Sequence, residues 1–157
     1  MWQEVFEPGA FDSLDGTDPQ RVRVNREHDR SAVVGSVIRF DTHDHRGLVA
    51  EVRIARTDRG DETLQLAAER MLFASIGFGI GRGGEQLDHV NRRRRVTSAR
   101  LDYVSLVMSP AYSGARVLAV RSAIDAHLDN PTTAWVQMRL DPAFRWARQR
   151  IAQSRRR

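Results

Sequence analysis

The chain has 157 residues and a mass of 17.9 kDa, enough for one domain with a real core. It contains no cysteine, which excludes disulfides, thiolate metal sites and a cysteine nucleophile. The formal charge is +5 and all 25 cationic side chains are arginine, so charge permits an acidic or nucleic-acid partner without specifying one. No apolar run reaches membrane-spanning length, and Met1-Trp2-Gln3-Glu4 carries no signal-peptide pattern. The expectation is a soluble protein of a reducing cytoplasm.

Phe6-Glu7-Pro8-Gly9-Ala10-Phe11 sets a Pro-Gly turn between two aromatics, and Asp15-Gly16-Thr17-Asp18-Pro19 is a further loop. Arg21 to Val24 alternates as a short strand and runs into the polar segment Asn25-Arg26-Glu27-His28-Asp29-Arg30. Ala32 to Phe40 is β-branched, with Gly35 marking a bulge. Asp41 to Gly47 turns the chain, and Leu48 to Ala55 returns as a strand, which makes a hairpin.

From Asp58 to Met71 the period becomes helical, with Leu64, Ala67, Ala68 and Met71 on one face and Asp58 or Asp61 as the cap. The strand that follows is the most informative stretch. Leu72, Ala74, Ile76, Phe78 and Ile80 form an apolar face, while Phe73, Ser75, Gly77 and Gly79 form the other. Ser75 is therefore a hydroxyl on an anchored strand, beside glycines that let another backbone come close.

Gly81 to Gly84 is a loop, Glu85 to Asn91 has no clear period, and Arg92 to Arg95 leads into a strand over Val96 to Val107. Pro110 to Ala115 turns the chain, Arg116 to Leu128 has a helical pattern, and Asp129-Asn130-Pro131 breaks it. Asp141-Pro142 opens a last, arginine-rich helix. Five or six strands with hairpin connections, few helices and no βαβ alternation predict an antiparallel, closed or nearly closed β-barrel with peripheral helices.

Ser75 needs a base to act as a nucleophile, and His28, just past the Val22–Val24 strand, is the best placed of the five histidines. Asp102 is an isolated carboxylate in an otherwise apolar strand, so it either pairs with an arginine or serves a function. Its function would be to fix the tautomer of the histidine. His43-Asp44-His45 has metal-ligand types, but in a hairpin turn these residues fit turn chemistry better. Arg92–Arg95 and Arg155–Arg157 could meet phosphates, yet few aromatics lie among them to stack on bases, so solvated charge is favoured over nucleic acid. The arginine-rich last helix could instead dock on an acidic surface.

Several motifs then fall into one order. These are Phe6-Glu7-Pro8-Gly9-Ala10-Phe11, Asn25 to Asp29 with its histidine, Gly47-Leu48, Ser75-Ile76-Gly77-Phe78, and Leu101-Asp102-Tyr103-Val104-Ser105-Leu106-Val107 before Pro110-Ala111-Tyr112. Over roughly residues 4–118 the chain resembles the prohead (capsid maturation) proteases of tailed phages. Those are related to the herpesvirus assemblin proteases, serine endopeptidases on a β-barrel surrounded by helices.

The resemblance implies a barrel domain over residues 1–120 and a basic helical extension over 121–157. It implies His28 as general base, Ser75 as nucleophile and Asp102 as third member, where the family usually has glutamate. In the herpesvirus relatives the third member is a histidine, which keeps His89 and His43 as alternatives. Relatives generally carry one or two strands before the Pro-Gly-Ala-Phe motif, so N-terminal strands of the barrel are expected to be missing here.

No metal or organic cofactor is implied. The implied partners are the major capsid protein precursor with its scaffold segment, the chain itself as substrate, and a second copy in a homo-oligomer. The implied place is the assembling prohead in the host bacterial cytoplasm. The rival expectation is a catalytically inactive protease fold retained as an assembly or scaffolding protein.

Overall fold

The computed structural model describes residues 3–44, 47–111, 114–121 and 134–139, with 121 and 134–139 described by backbone alone. Ten strands and one α-helix follow in chain order: β1 (Gln3–Phe6), β2 (Arg23–Arg26), β3 (Asp29–Asp41), β4 (Val49–Ile54), α1 (Asp58–Ala68), β5 (Phe73–Gly79), β6 (Glu85–Asp88), β7 (Arg93–Val96), β8 (Arg100–Val107), β9 (Arg116–Arg121) and β10 (Ala134–Arg139). Short 3₁₀ turns cover Asp12–Leu14 and Pro19–Arg21.

The strands form a three-stranded sheet, β1-β7-β6, and a seven-stranded sheet, β5-β8-β2-β3-β4-β10-β9. The mainly-β expectation is met, but two of its features are corrected. The large sheet is not a closed barrel: among the described residues β5 and β9 are its two edges, and they come within 8 Å of each other without pairing. Nor are the sheets all antiparallel, because β2 runs parallel to β8 in the large sheet and β1 parallel to β7 in the small one. The antiparallel expectation came from hairpin connections, and neither of these two pairs is joined by one. Their direction was free to be set by packing.

Local signals explain most elements. In β4, Ala50, Val52 and Ile54 are buried while Glu51 and Arg53 face outward, the alternation of a half-buried strand. In β3 the pairing with β2 shifts between Gly35 and Val33, and a side chain on Gly35 would strike the Arg53 carbonyl. The helix is capped by Thr57, whose hydroxyl accepts the Gly60 N–H at 3.0 Å, rather than by either aspartate. Its buried face is Gly60, Thr63 and Ala67, and Met71 is exposed because the helix ends at Ala68. Residues 116–121, expected as helix, form β9, and β10 inserts between β4 and β9. The large sheet thus uses residues from the segment expected to be an extension. The helix expected from Asp141 lies outside the described residues.

The core joins both sheets. Phe6 of β1 is fully buried, 5.1 Å from the Phe11 ring and edge-on to Phe78 of β5 at 4.9 Å. Truncating such a residue costs about 3–5 kcal/mol. Around these rings lie Val24, Val34, Val37, Val52, Ile54, Ala74, Val104 and Leu106, which press the large sheet into one apolar layer. Arg94 staples the small sheet by bonding Glu4 on β1 at 2.7 Å and Glu85 on β6 at 2.5 Å. Its hydrogen bond to Glu85 holds its guanidinium pKa above the usual value.

Candidate functional site

β5 lies at the edge of the large sheet with β8 as its neighbour. Their register places Ser75 opposite Ser105, Ile76 opposite Val104 and Gly77 opposite Tyr103. Ala74 and Ile76 are buried in the core, so Ser75, Gly77 and Gly79 stand on the other face, as the alternation predicts. Ser75 is itself 2 % exposed.

The register slips after Gly77, where Phe78 pairs with Leu101. Asp102 is the extra residue of a β-bulge on β8. The bulge keeps Leu101 in the core and sets Asp102 and Tyr103 on the same side as Gly77 and Gly79. A Cβ on Gly77 would lie 2.2 Å from Tyr103 Cζ, so glycine there makes room for the ring.

His28 sits on the two-residue turn between β2 and β3, with φ of 51° at Glu27 and 59° at His28. Two positive φ values at a two-residue hairpin turn favour Asn and Gly, and side chains such as these store strain there. β8 holds the turn in place. Glu27 N–H donates to the Leu106 carbonyl at 3.1 Å, His28 N–H to Ser105 Oγ at 2.9 Å, and Met108 N–H to Glu27 Oε1 at 2.9 Å. Ser105 is fully buried. The same hydroxyl that faces Ser75 across the strands therefore anchors the backbone of His28.

The imidazole leans on Tyr103, with Nδ1 3.3 Å from the phenol oxygen and the two rings edge to face at 5.8 Å. Arg30 lies 5.3 Å from the Tyr103 ring centre. Tyr103 is thus held between Gly77, His28 and Arg30.

Of the three residues singled out by sequence, Ser75 and His28 are brought to one place through Ser105, although no hydrogen bond joins them among the described residues. Asp102 is bound elsewhere: its Oδ1 accepts from Arg100 Nε at 2.8 Å, and this bond raises the Arg100 pKa. No contact between Asp102 and His28 occurs among the described residues. Asp102 lines an open cleft of about 360 Å³ with Arg23, Asn25, Arg30, Val33, Arg100 and Tyr103.

The alternative histidines lie elsewhere. His43 Nε2 is 3.8 Å from Asp15 Oδ2, and His89 is in the turn after β6. His45 is outside the described residues, and those described contain no group of three metal-ligand side chains. The Arg92–Arg95 stretch, considered for phosphate contacts, mostly forms β7, paired on both sides by β1 and β6. Ser105 and Tyr103 are the residues that sequence reasoning passed over. The signal available for them was a second hydroxyl-bearing strand with the same alternation as the first.

A family model for the caudovirus prohead serine protease matches residues 1–130. Searches of curated proteins and of solved structures returned no match.

Proposed function

Because the chain belongs to the caudovirus prohead serine protease family, we propose that it is a serine endopeptidase acting on phage capsid or scaffold precursors, itself included, with Ser75 as nucleophile and His28 as base. The observation that carries this is the double anchoring of His28 beside the Ser75 strand. Its backbone is tied to Ser105, its ring to Tyr103, and Ser105 lies directly across from Ser75.

In this mechanism His28 Nε2 takes the Ser75 proton as the hydroxyl oxygen attacks the scissile carbonyl. The imidazolium then passes that proton to the leaving amine. The acyl-enzyme is released by water, which His28 deprotonates in turn. For Nε2 to accept a proton, Nδ1 must carry one and needs an acceptor. In that tautomer the Tyr103 oxygen, 3.3 Å away, serves as the acceptor. Asp102 was expected in this role, and it would have to leave Arg100 to fill it.

Strain supports the same assignment. Two side chains in the left-handed region cost on the order of 1–3 kcal/mol each, and such outliers cluster at functional sites. Here three hydrogen bonds to β8 and its flank offset that cost and fix where His28 points.

The test is co-expression with a phage capsid precursor, comparing wild type with Ser75→Ala and following the precursor by intact mass. Shortening that disappears in Ser75→Ala is the expected result. An intact precursor that co-purifies with both forms favours the second reading, an inactive protease fold serving as an assembly or scaffolding protein. The left-handed turn would then be structural only.

A further inference from the structure

We infer that the cleft beside Tyr103 is a subsite for an acidic side chain of the peptide being cut. This rests on the endopeptidase reading of the neighbouring site and adds the substrate chemistry to it.

The cleft contains three guanidinium groups, from Arg23, Arg30 and Arg100, and one carboxylate, from Asp102. Asp102 is committed to Arg100. Arg23 donates to the Gln20 carbonyl, and Arg30 stacks over Tyr103. Neither has a carboxylate partner among the described residues. Three other sheet arginines do have carboxylate partners. Arg39 is paired with Glu51, Arg94 with Glu4 and Glu85, and Arg95 with Glu7. Arg23 and Arg30 thus bring two cations to the cleft without a carboxylate partner among the described residues, and an anion from outside would complete them.

The floor is polar as well. Asn25 is 1 % exposed, and its carboxamide oxygen has no hydrogen-bond partner among the described residues. A carboxamide can present either its acceptor or its NH₂ to a neighbouring group, so this floor suits a peptide group or a carboxylate seated above it. Val33, exposed at the rim, offers apolar surface for the methylenes of a glutamate.

Position ties the cleft to the chemistry. Tyr103 is shared: its ring lines the cleft, and its hydroxyl meets His28 Nδ1. Tyr103 pairs with Gly77, two residues along β5 from Ser75, so an extended peptide advancing about 3.3 Å per residue carries the acidic side chain a few residues from the scissile bond.

The decisive experiment uses the full chain carrying Ser75→Ala and fluorescent octapeptides alternating Ala with Glu, Gln or Lys, with binding followed by anisotropy. The expected result is binding of the Glu peptide at least about tenfold tighter than the Gln peptide, weakening with added salt. Arg23→Ala with Arg30→Ala removes the preference, and Arg23→Glu with Arg30→Glu turns it toward the Lys peptide. Arg70→Ala with Arg82→Ala, which changes net charge equally, leaves it intact. Nitrogen-15 shifts at Arg23 and Arg30 Nε on adding the Glu peptide give the same information without any cleft variant.

Equal binding of the Glu and Gln peptides overturns the inference. So does an equal loss in the control pair, which would mean net charge alone. A thymidine oligonucleotide that binds through Arg23 and Arg30 while the Glu peptide shows no preference also overturns it, in favour of a general polyanion surface. If the precursor is never cut but the Glu preference maps to the cleft, the subsite stands and the endopeptidase reading falls. If the precursor is cut and no preference exists, the reverse holds.

Discussion

The Tyr103 hydroxyl lies 3.3 Å from Nδ1 of His28, and the ring that carries it rests over Gly77, two residues along β5 from Ser75. One aromatic side chain therefore connects the strand of the candidate nucleophile to the turn of the candidate base. A phenol oxygen can accept a hydrogen bond from Nδ1–H and fix the ring, but it gives less charge stabilisation to an imidazolium than a carboxylate does.

Tyr103→Phe keeps the ring and its packing while removing that acceptor. The expected outcome is a loss in precursor cleavage of about tenfold or more in kcat, with little change in KM. Nitrogen-15 shifts of His28 should move away from the Nδ1–H tautomer in the same variant. Asp102→Asn, which breaks the bond to Arg100, should leave the His28 tautomer where it was. The opposite ranking, with Asp102→Asn the more damaging and the tautomer following it, would return the third position to Asp102.

Gly77→Ala tests the packing beneath Tyr103. The added methyl would lie 2.2 Å from Cζ, well inside contact, so the ring must move. The expected cost is about 1–3 kcal/mol of stability by overpacking. Cleavage should fall by more than the unfolded fraction accounts for, because the hydroxyl leaves His28. Chemical denaturation and cleavage rates on the same sample separate the two effects. A variant that loses stability and keeps its full rate per folded molecule would show that the ring position does not matter.

Ser105→Ala removes a buried acceptor and leaves the His28 N–H without its partner. The expected loss is about 1–3 kcal/mol. Hydrogen exchange at the His28 amide should rise sharply, while exchange in β4, across the sheet, stays protected. Unchanged exchange at His28 would mean that Glu27 alone holds the turn.

How much of this was legible beforehand follows from what each signal encodes. The period of β5 was plain because its core face is continuous, and that period placed Ser75 correctly away from the core. The β2–β3 turn was hidden, since Glu27 and His28 are not the Asn or Gly that left-handed turns favour. Only hydrogen bonds from residues some 77 positions away make it possible. The bulge at Asp102 was equally hidden, because a slipped register depends on the partner strand and not on local pattern. It decides which of Asp102 and Tyr103 meets His28. Residues 116–121 looked helical because their apolar spacing fits either period in so short a run, and pairing with β10 settled it as strand.

Asp29 gives the site a pH dependence of defined sign. It follows His28 directly and accepts from the Ser31 hydroxyl at 2.6 Å and the Ser31 N–H at 2.8 Å. The Ser31 side-chain bond, then its backbone bond, hold the carboxyl below its usual 3.8. A depressed folded pKa means that the charged form is favoured by folding. The stabilisation is therefore complete above the unfolded value, near 3.9, and is lost as pH falls through the lower folded value. Comparing thermal unfolding of wild type and Asp29→Asn from pH 7 to pH 2.5 checks this. The expected gap between them is constant down to about pH 5 and closes below about pH 4. Because Asp29 opens β3 beside the strained turn, the variant should also raise exchange at the His28 amide at neutral pH. A gap that persists unchanged to pH 2.5 would mean that the carboxylate contributes nothing through its charge, and the turn would then rest on β8 alone.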